Sequence, residues 1–396
     1  MTRWIGIVVA SVATALFVHS AHAESGFSRV SSADPVVLNV IRLLESARFD
    51  RVQFDTAERS EDGRSIRLLG MKARVFEGYV MSASTVTATG VLRAGSRISG
   101  ETMVFAEPNF RGFSGSETSF AASEMSITNP ETIVSPGKIA RMRFDRVLVT
   151  KGKVTDKGEV VVSLKEASFE ASNWMAGGEV AQKMVGRLTG SFAPKLFGGL
   201  LPFDPSLMAP GAISLDVIAT TELGDVGTLT SSLVVNTKTV GNYEFRLDLS
   251  GVRPEAFTVV RELEEASRSD GGSSTPIGAS PRFVKAVEGV SVGLVSLQAT
   301  GMEWVGSALD KTAKSKRKSR SKIESEIGET INRWIGSVAS EQTAEGSKRE
   351  ISRFLSSPHT ITVQLSPQNA SPTGGNWFLN LVNLPLEALG FSVKAN

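Results

Sequence analysis

The stretch that decides the fold class is Tyr243-Glu244-Phe245-Arg246-Leu247-Asp248-Leu249. Every odd position is apolar and every even position is charged. A repeat of two residues places one face of a β-strand in a core and the other face in water. This alternation is typical of a half-exposed strand in an antiparallel sheet.

Three other segments, far apart in the chain, show the same alternation. Their apolar positions are Ile213, Leu215 and Val217, then Val160, Val162 and Leu164, then Ile361, Val363 and Leu365. The sequence therefore predicts an α+β fold dominated by strands. We expect large antiparallel sheets with a few helices packed on one face.

One pentapeptide occurs twice. Arg48-Phe49-Asp50-Arg51-Val52 recurs unchanged as Arg143-Phe144-Asp145-Arg146-Val147. Asp62-Gly63 follows the first copy at the distance at which Lys157-Gly158 follows the second, and both pairs are typical of hairpin turns. The sequence predicts two similar hairpin units, at 48–70 and 143–165. A duplicated unit is one explanation and a chance match of few residues is the other.

Helices are predicted in two places. Asp34 followed by Pro35 is a typical helix start, because Asp caps the first turn and Pro fits its first position. A helical segment is predicted near 302–356, where one face carries a regular apolar pattern. The residues of that face are Ile323, Ile327, Ile331, Trp334, Ile335 and Val338.

The N-terminus has the features of an export signal. Arg3 precedes the apolar run from Ile5 to Val18, and Ala21-His22-Ala23 has the small-x-small form of a cleavage site. We expect 1–23 to be a signal peptide and the protein to be periplasmic or secreted. The alternative is an uncleaved segment that anchors the protein in the inner membrane.

The remaining chain is predicted to contain two regions. Residues 24–200 form a β-rich region that includes both hairpin units, and residues 201–396 form a region of sheet plus helix. Within the second region, 267–281 is rich in Ser and Gly and is predicted to be a flexible loop.

Composition argues against several classes of site. The chain has 43 basic and 41 acidic residues and no cysteine, so neither nucleic acid binding, nor disulfides, nor thiolate chemistry is expected. His359 is the one histidine beyond the leader, which makes a zinc site improbable. Nucleotide-binding glycine motifs are absent from the sequence, and Gly112-Phe113-Ser114-Gly115-Ser116 lacks the last glycine of a serine-hydrolase elbow. No cofactor, metal or catalytic residue is predicted.

Two features are candidates for contact with a ligand or membrane. The cation run contains seven basic residues without an acid among them, namely Lys311, Lys314, Lys316, Arg317, Lys318, Arg320 and Lys322. It is either a solvated connector between helices or a contact for anionic lipid or an acidic partner. The apolar loop places Leu196, Phe197, Leu200, Leu201 and Phe203 among prolines and glycines. It is either a buried plug or an apolar lip that meets a ligand or membrane.

Three functions fit these features. The first is a non-enzymatic envelope protein that binds an apolar ligand such as a lipid, or contacts the membrane surface, and it requires an apolar sheet face that helices do not fully cover. The second is an assembly scaffold for other envelope proteins, with a dry core and no groove. The third is an envelope hydrolase, for which no constellation of residues is recognised in the sequence.

Overall fold

The chain forms two compact units that divide between Ala193 and Pro194. A computed structural model describes residues 27–75, 79–112, 117–135, 138–174, 180–194, 212–224, 227–259, 263, 281–337, 339–367, 386–387 and 389–396. The predicted signal peptide, the apolar loop and all of the predicted flexible loop except Pro281 lie outside these residues, as does 113–116.

The first unit contains one long helix and most of the strands. The helix is α1 (Pro35–Ser46). The strands are β1 (Phe27–Val30), β2 (Asp50–Gln53), β3 (Thr56–Ser60), β4 (Ile66–Val75), β5 (Tyr79–Thr89), β6 (Leu92–Ala94), β7 (Arg97–Ser99), β8 (Thr102–Ala106), β9 (Asn109–Gly112), β10 (Thr118–Ala121), β11 (Glu124–Thr128), β12 (Glu131–Ser135), β13 (Lys138–Ile139), β14 (Arg146–Thr150), β15 (Lys153–Asp156), β16 (Glu159–Trp174) and β17 (Ala181–Phe192).

The main sheet of this unit is an antiparallel meander in which four positions hold two short strands in line. Its order is β2/β3, β4, β5, β8/β9, β11/β10, β14/β15, β16 and β17, and β1 pairs with β3. A break separates the two short strands at each of these positions. The breaks in β8/β9, β11/β10 and β14/β15 are joined by backbone hydrogen bonds, because Ala122 N donates to Pro108 O at 3.0 Å and Ser123 N donates to Thr150 O at 3.2 Å. These three breaks therefore line up across the sheet. Strands β6, β7, β12 and β13 form a separate small sheet.

The repeated pentapeptide precedes two hairpins of one design. In each copy two short strands pair with one long return strand, β2 and β3 with β4, and β14 and β15 with β16. The turn glycines have positive φ in both copies, 72° at Gly63 and 80° at Gly158. The hairpins are confirmed, but the first strand of each is interrupted instead of continuous.

The core of the first unit contains a fully buried part of its main sheet. One row of cross-strand partners runs through Leu68, Val86, Phe105, Met125, Val149 and Ala167. Each of these side chains is at most 1 % exposed. Phe49 stacks on Phe105 with ring centroids 5.7 Å apart. Helix α1 contacts β2, β4 and the small sheet, and its Leu43 and Leu44 are fully buried.

The predicted start of α1 is confirmed. The carboxylate of Asp34 accepts hydrogen bonds from Val36 N at 2.8 Å and Val37 N at 3.4 Å, and Pro35 is the first helical residue. The side chain thus satisfies two backbone donors that lack partners within the helix. This cap fixes the point at which the chain enters the first core.

The second unit combines an antiparallel meander with helices. Its strands pair in chain order: β18 (Ile213–Leu223), β19 (Leu229–Thr237), β20 (Asn242–Ser250), β21 (Ser291–Thr300), β22 (Thr360–Leu365) and β23 (Ser392–Ala395). Its helices are α2 (Pro281–Ala286), α3 (Glu303–Lys316), α4 (Arg320–Gly336) and α5 (Glu341–Ser356), and residues 254–259 are also helical. The β-dominated α+β fold with helices near 302–356 is confirmed.

Helices α3, α4 and α5 share one core with the sheet. That core includes Leu309 of α3, Ile323 of α4, Phe354 of α5 and Val393 of β23. The predicted apolar face of α4 is correct at Ile323 and Ile335, which are buried, and wrong at Ile331, which is 36 % exposed. The pattern alone does not show which positions of that helix face the neighbouring elements cover.

Candidate functional site

The sheet of the second unit has one apolar face, built by strand register. Residues directly opposite each other point to the same side of an antiparallel sheet. The first row contains Val217, Val235, Tyr243, Ala299, Ile361 and Ala395, and the second contains Ala219, Leu233, Phe245, Leu297, Val363 and Val393. A third row contains Thr221, Ser231, Leu247, Val295 and Leu365.

Helices α3 to α5 cover only one end of this face. Ala299, Ala395 and Val393 are buried in the shared core, and Tyr243 and Ile361 pack against it. At the other end, Leu223 and Val292 are also buried. The apolar side chains between the two ends are accessible to solvent.

We name these accessible side chains the open strip. It consists of Leu233, Phe245, Leu247, Val295, Leu297 and Leu365. Leu297 is 46 % exposed and the other five are half-buried. The strip crosses four strands, about 14 Å at the usual strand spacing. A contiguous apolar surface of this kind is a candidate for contact with an apolar ligand.

The opposite face of the same sheet is polar. Its residues on β20 are Glu244, Arg246 and Asp248, and Arg246 forms an ion pair with Asp248 at 2.9 Å. Three apolar residues also lie on that face, namely Val234, Leu294 and Ile218, which is 37 % exposed. The two faces thus differ in chemistry as the alternation in 243–249 predicts, which confirms the amphipathic strand.

Tyr243 marks the boundary between the covered end and the open strip. Its hydroxyl donates to Val240 O at 2.6 Å, and it lies beside Trp304 of α3. Burial raises the pKa of Tyr243 to about 12, because the phenolate would lose its hydration there. The hydroxyl is therefore a fixed, neutral hydrogen-bond donor at this boundary.

The cation run forms an exposed corner between α3 and α4. Helix α3 ends at Lys316, and the next residue, Arg317, has a left-handed backbone with φ 52°. Lys318 N donates back to Ala313 O at 2.9 Å. This closure turns the chain sharply into α4. Of the seven cations, six are exposed and Arg320 is half-buried.

Two cations of the run have structural partners. Arg320 contacts Glu324 at 2.7 Å and Asp310 at 3.3 Å, and it donates to Leu355 O at 3.3 Å. It thereby joins α3, α4 and the end of α5. Lys318 contacts Glu326 at 2.6 Å, and this hydrogen bond lowers the pKa of the Glu326 carboxyl.

The other five cations form no ion pair with any residue that the structure describes. They are Lys311, Lys314, Lys316, Arg317 and Lys322. Lys322 and Lys316 lie close enough to Glu326 for their charges to lower its pKa further. The acids of the corner are thus already engaged by Lys318 and Arg320, so an excess of positive charge remains.

His359 lies where β22 begins, beside the start of α3. Its Nδ1 is 2.7 Å from Glu303 Oε1, and its carbonyl accepts a hydrogen bond from Met302 N at 3.1 Å. The hydrogen bond from His359 lowers the pKa of Glu303. The side chains of His359 and Glu303 are 60 % and 61 % exposed. The pair therefore joins the start of β22 to the start of α3 at the surface.

The described residues contain neither a metal-binding cluster nor a membrane-spanning helix. No group of three or more His, Cys, Asp or Glu side chains there could hold a metal ion. Among the described helices, none is both long enough and apolar enough to span a membrane.

Only one of the two predicted contact regions lies within the described residues. The cation run is described in full, whereas Leu196, Phe197, Leu200, Leu201 and Phe203 of the apolar loop lie outside the described residues. Sequence reasoning did not identify the open strip as a site. Its signal was the apolar half of the alternating strands, but alternation does not show which part of a face the helices leave accessible.

Comparison with known proteins adds a match over part of the second unit. A family model described as "Uncharacterized protein" matches residues 234–396, less than half of the chain. The matched segment includes the whole cation run and all of the open strip except Leu233. No curated protein matches the sequence.

Proposed function

We propose that the second unit binds the hydrocarbon part of a lipid on the open strip, and that the protein does so in the cell envelope. The observation that carries the proposal is the position of Leu297, which is 46 % exposed in the middle of a mostly apolar sheet face. Exposure of a large aliphatic side chain there leaves apolar surface that a hydrocarbon chain would remove from water.

The chemistry of the strip supports an aliphatic ligand. Its six side chains carry no charge and no hydrogen-bonding group, so they offer contact area without polar recognition. Burial of a methylene group contributes about 0.8 kcal/mol. A chain that rests on the strip from one side buries part of each of its methylene groups, so we expect reversible binding that becomes tighter as the hydrocarbon chain lengthens.

The cellular setting rests on the leader pattern. Arg3, the apolar run to Val18 and Ala21-His22-Ala23 predict export, and an exported protein meets membranes and their lipids. Cleavage leads to a periplasmic or secreted protein and retention leads to an anchored one, and the periplasmic and anchored forms both belong to the envelope.

The direct test compares two matched substitutions in one sheet. Leu297→Gln places an amide in the open strip, and Ile218→Gln makes the same kind of change on the polar face. We expect Leu297→Gln to weaken binding of a fluorescent long-chain fatty acid about tenfold, since a polar group placed against hydrocarbon loses hydration. Ile218→Gln should bind like the unmodified protein.

Lipid carried through purification gives a second readout. Native mass spectrometry of protein from the envelope fraction should show adducts of lipid mass, depleted in Leu297→Gln and retained in Ile218→Gln. Equal binding by both variants, together with a clean apo mass in every preparation, contradicts the proposal.

A scaffold for other envelope proteins is the second candidate. It is favoured by the row from Leu68 to Ala167 in the first unit, in which each side chain is at most 1 % exposed. A scaffold function requires that partner proteins co-purify with this protein and that lipid does not. The same mass spectrometry, applied to gently lysed envelopes, distinguishes the two.

A further inference from the structure

We propose that the corner between α3 and α4 is a docking surface for anionic lipid membranes, and that Lys311, Lys314, Lys316, Arg317 and Lys322 make the contact. These five side chains are exposed and form no ion pair within the described part of the chain. The surface is separate from the open strip, and the inference holds whether or not the strip binds lipid.

The corner divides its seven cations into two groups with different roles. Arg320 and Lys318 form ion pairs with Asp310, Glu324 and Glu326 and hold the helices together. The seven cations exceed these three acids by four, so a net positive charge remains on the corner. A run that served only as a solvated connector would not require this division.

The spacing of the free cations fits a plane of charges better than a single anion. Lys311 to Arg317 spans about 9 Å of helix axis, at 1.5 Å per residue. Lys311 and Lys314 share the outward side of α3, whereas Leu309, Thr312 and Ala313 face inward. Lys311 and Arg317, at the two ends of this span, can therefore each reach a different headgroup.

The C-terminal end of α3 stabilises the cluster of cations before any lipid is bound. Lys314 and Lys316 lie in the last turn of α3, where the partial negative charge of the helix C-terminus stabilises cations. The cluster can therefore persist despite its mutual repulsion. Anionic lipid would relieve that repulsion on contact.

The experiment measures sedimentation with vesicles of phosphatidylcholine, with and without phosphatidylglycerol. The test variant replaces Lys311, Lys314, Lys316, Arg317 and Lys322 by Gln and keeps Lys318 and Arg320, so that the corner stays closed. The control variant removes the same charge from exposed positions of the first unit, by Gln at Arg64, Arg93, Lys151, Lys153 and Lys157.

We expect the unmodified protein to bind only the anionic vesicles, and less at about 1 M salt, where screening is strong. Each basic residue at such a surface contributes about fivefold in partitioning, so the test variant should lose about a hundredfold or more. The partitioning of the control variant should fall by less than about tenfold. Equal losses in both variants, or no binding by the unmodified protein, overturn the proposal, and binding to an acidic protein but not to vesicles also counts against it.

The two lipid proposals fail separately. Leu297→Gln should lose fatty acid and keep vesicle binding, whereas the five-cation variant should show the reverse. Circular dichroism and urea unfolding of each variant establish that the fold is intact.

Discussion

The two units build their sheets on the same principle and treat the apolar face differently. In the first unit, Phe105 lies in the middle of that face with 0 % exposure and with Phe49 stacked on it. In the second unit, Phe245 holds a comparable central position and stays half-buried beside Leu297. Alternation therefore fixes which side of a strand is apolar, and the elements packed above it determine whether that side becomes core or surface.

The largest difference should appear when each central phenylalanine is truncated. Phe105→Ala removes a fully buried ring, which costs about 3 to 5 kcal/mol of unfolding free energy because a cavity remains. Phe245→Ala should cost about 1 to 2 kcal/mol, since water already reaches the ring. Urea unfolding measures both, with a separate transition allowed for each unit. Equal losses would falsify the contrast between a closed and an open face.

Two strand glycines sharpen the comparison through backbone spacing. A methyl group added at Gly190 of β17 would lie 2.2 Å from Ser163 O, whereas one at Gly293 of β21 has no neighbour nearer than 3.6 Å. Gly190→Ala should therefore destabilise by about 1 to 3 kcal/mol, because β16 and β17 must separate. Gly293→Ala should change stability by about 0.5 kcal/mol or less. Thermal denaturation of the pair checks this, and a harmless Gly190→Ala contradicts the close approach.

Tyr243 allows a smaller test at the boundary of the strip. Its pKa is raised to about 12 in the folded protein, against about 10 in the unfolded chain. Both states keep the proton below pH 10, and above it the unfolded chain loses the proton first, so stability falls between about pH 10 and pH 12. Tyr243→Phe should remove this fall and cost about 1 kcal/mol at neutral pH, for the lost bond to Val240 O. Unfolding curves across this pH range measure the slope, and parallel slopes for the two proteins count against the assignment.

The features that the sequence predicted well depend on neighbours along the chain. The faces of 243–249, the Asp34 cap and the turns at Gly63 and Gly158 follow from local spacing and backbone preference. The interrupted strands, by contrast, follow from pairing with other strands, since the break at Ala122 and Ser123 aligns with breaks on both sides. Local sequence does not contain that information.

The candidate site divides in the same way. The density of the cation run was visible in the sequence, but the role of Arg320 was not, because its partners lie on three different helices. Phe245, Leu247 and Leu365 of the open strip were predicted as the apolar side of alternating strands. The accessibility of the strip depends on how far α3 to α5 extend over the face, which is a property of tertiary packing.

The pairing of β18 through β23 in strict chain order bears on how the second unit can change over evolution. Among the strands that the structure describes in this unit, each pairs with the strand before it and the strand after it in the chain. The energetics of such an array approximate a sum of nearest-neighbour terms, as in repeat proteins. A hairpin can then be inserted or deleted within the array while the distant pairings remain, and the width of the apolar face would grow or shrink by one hairpin at a time.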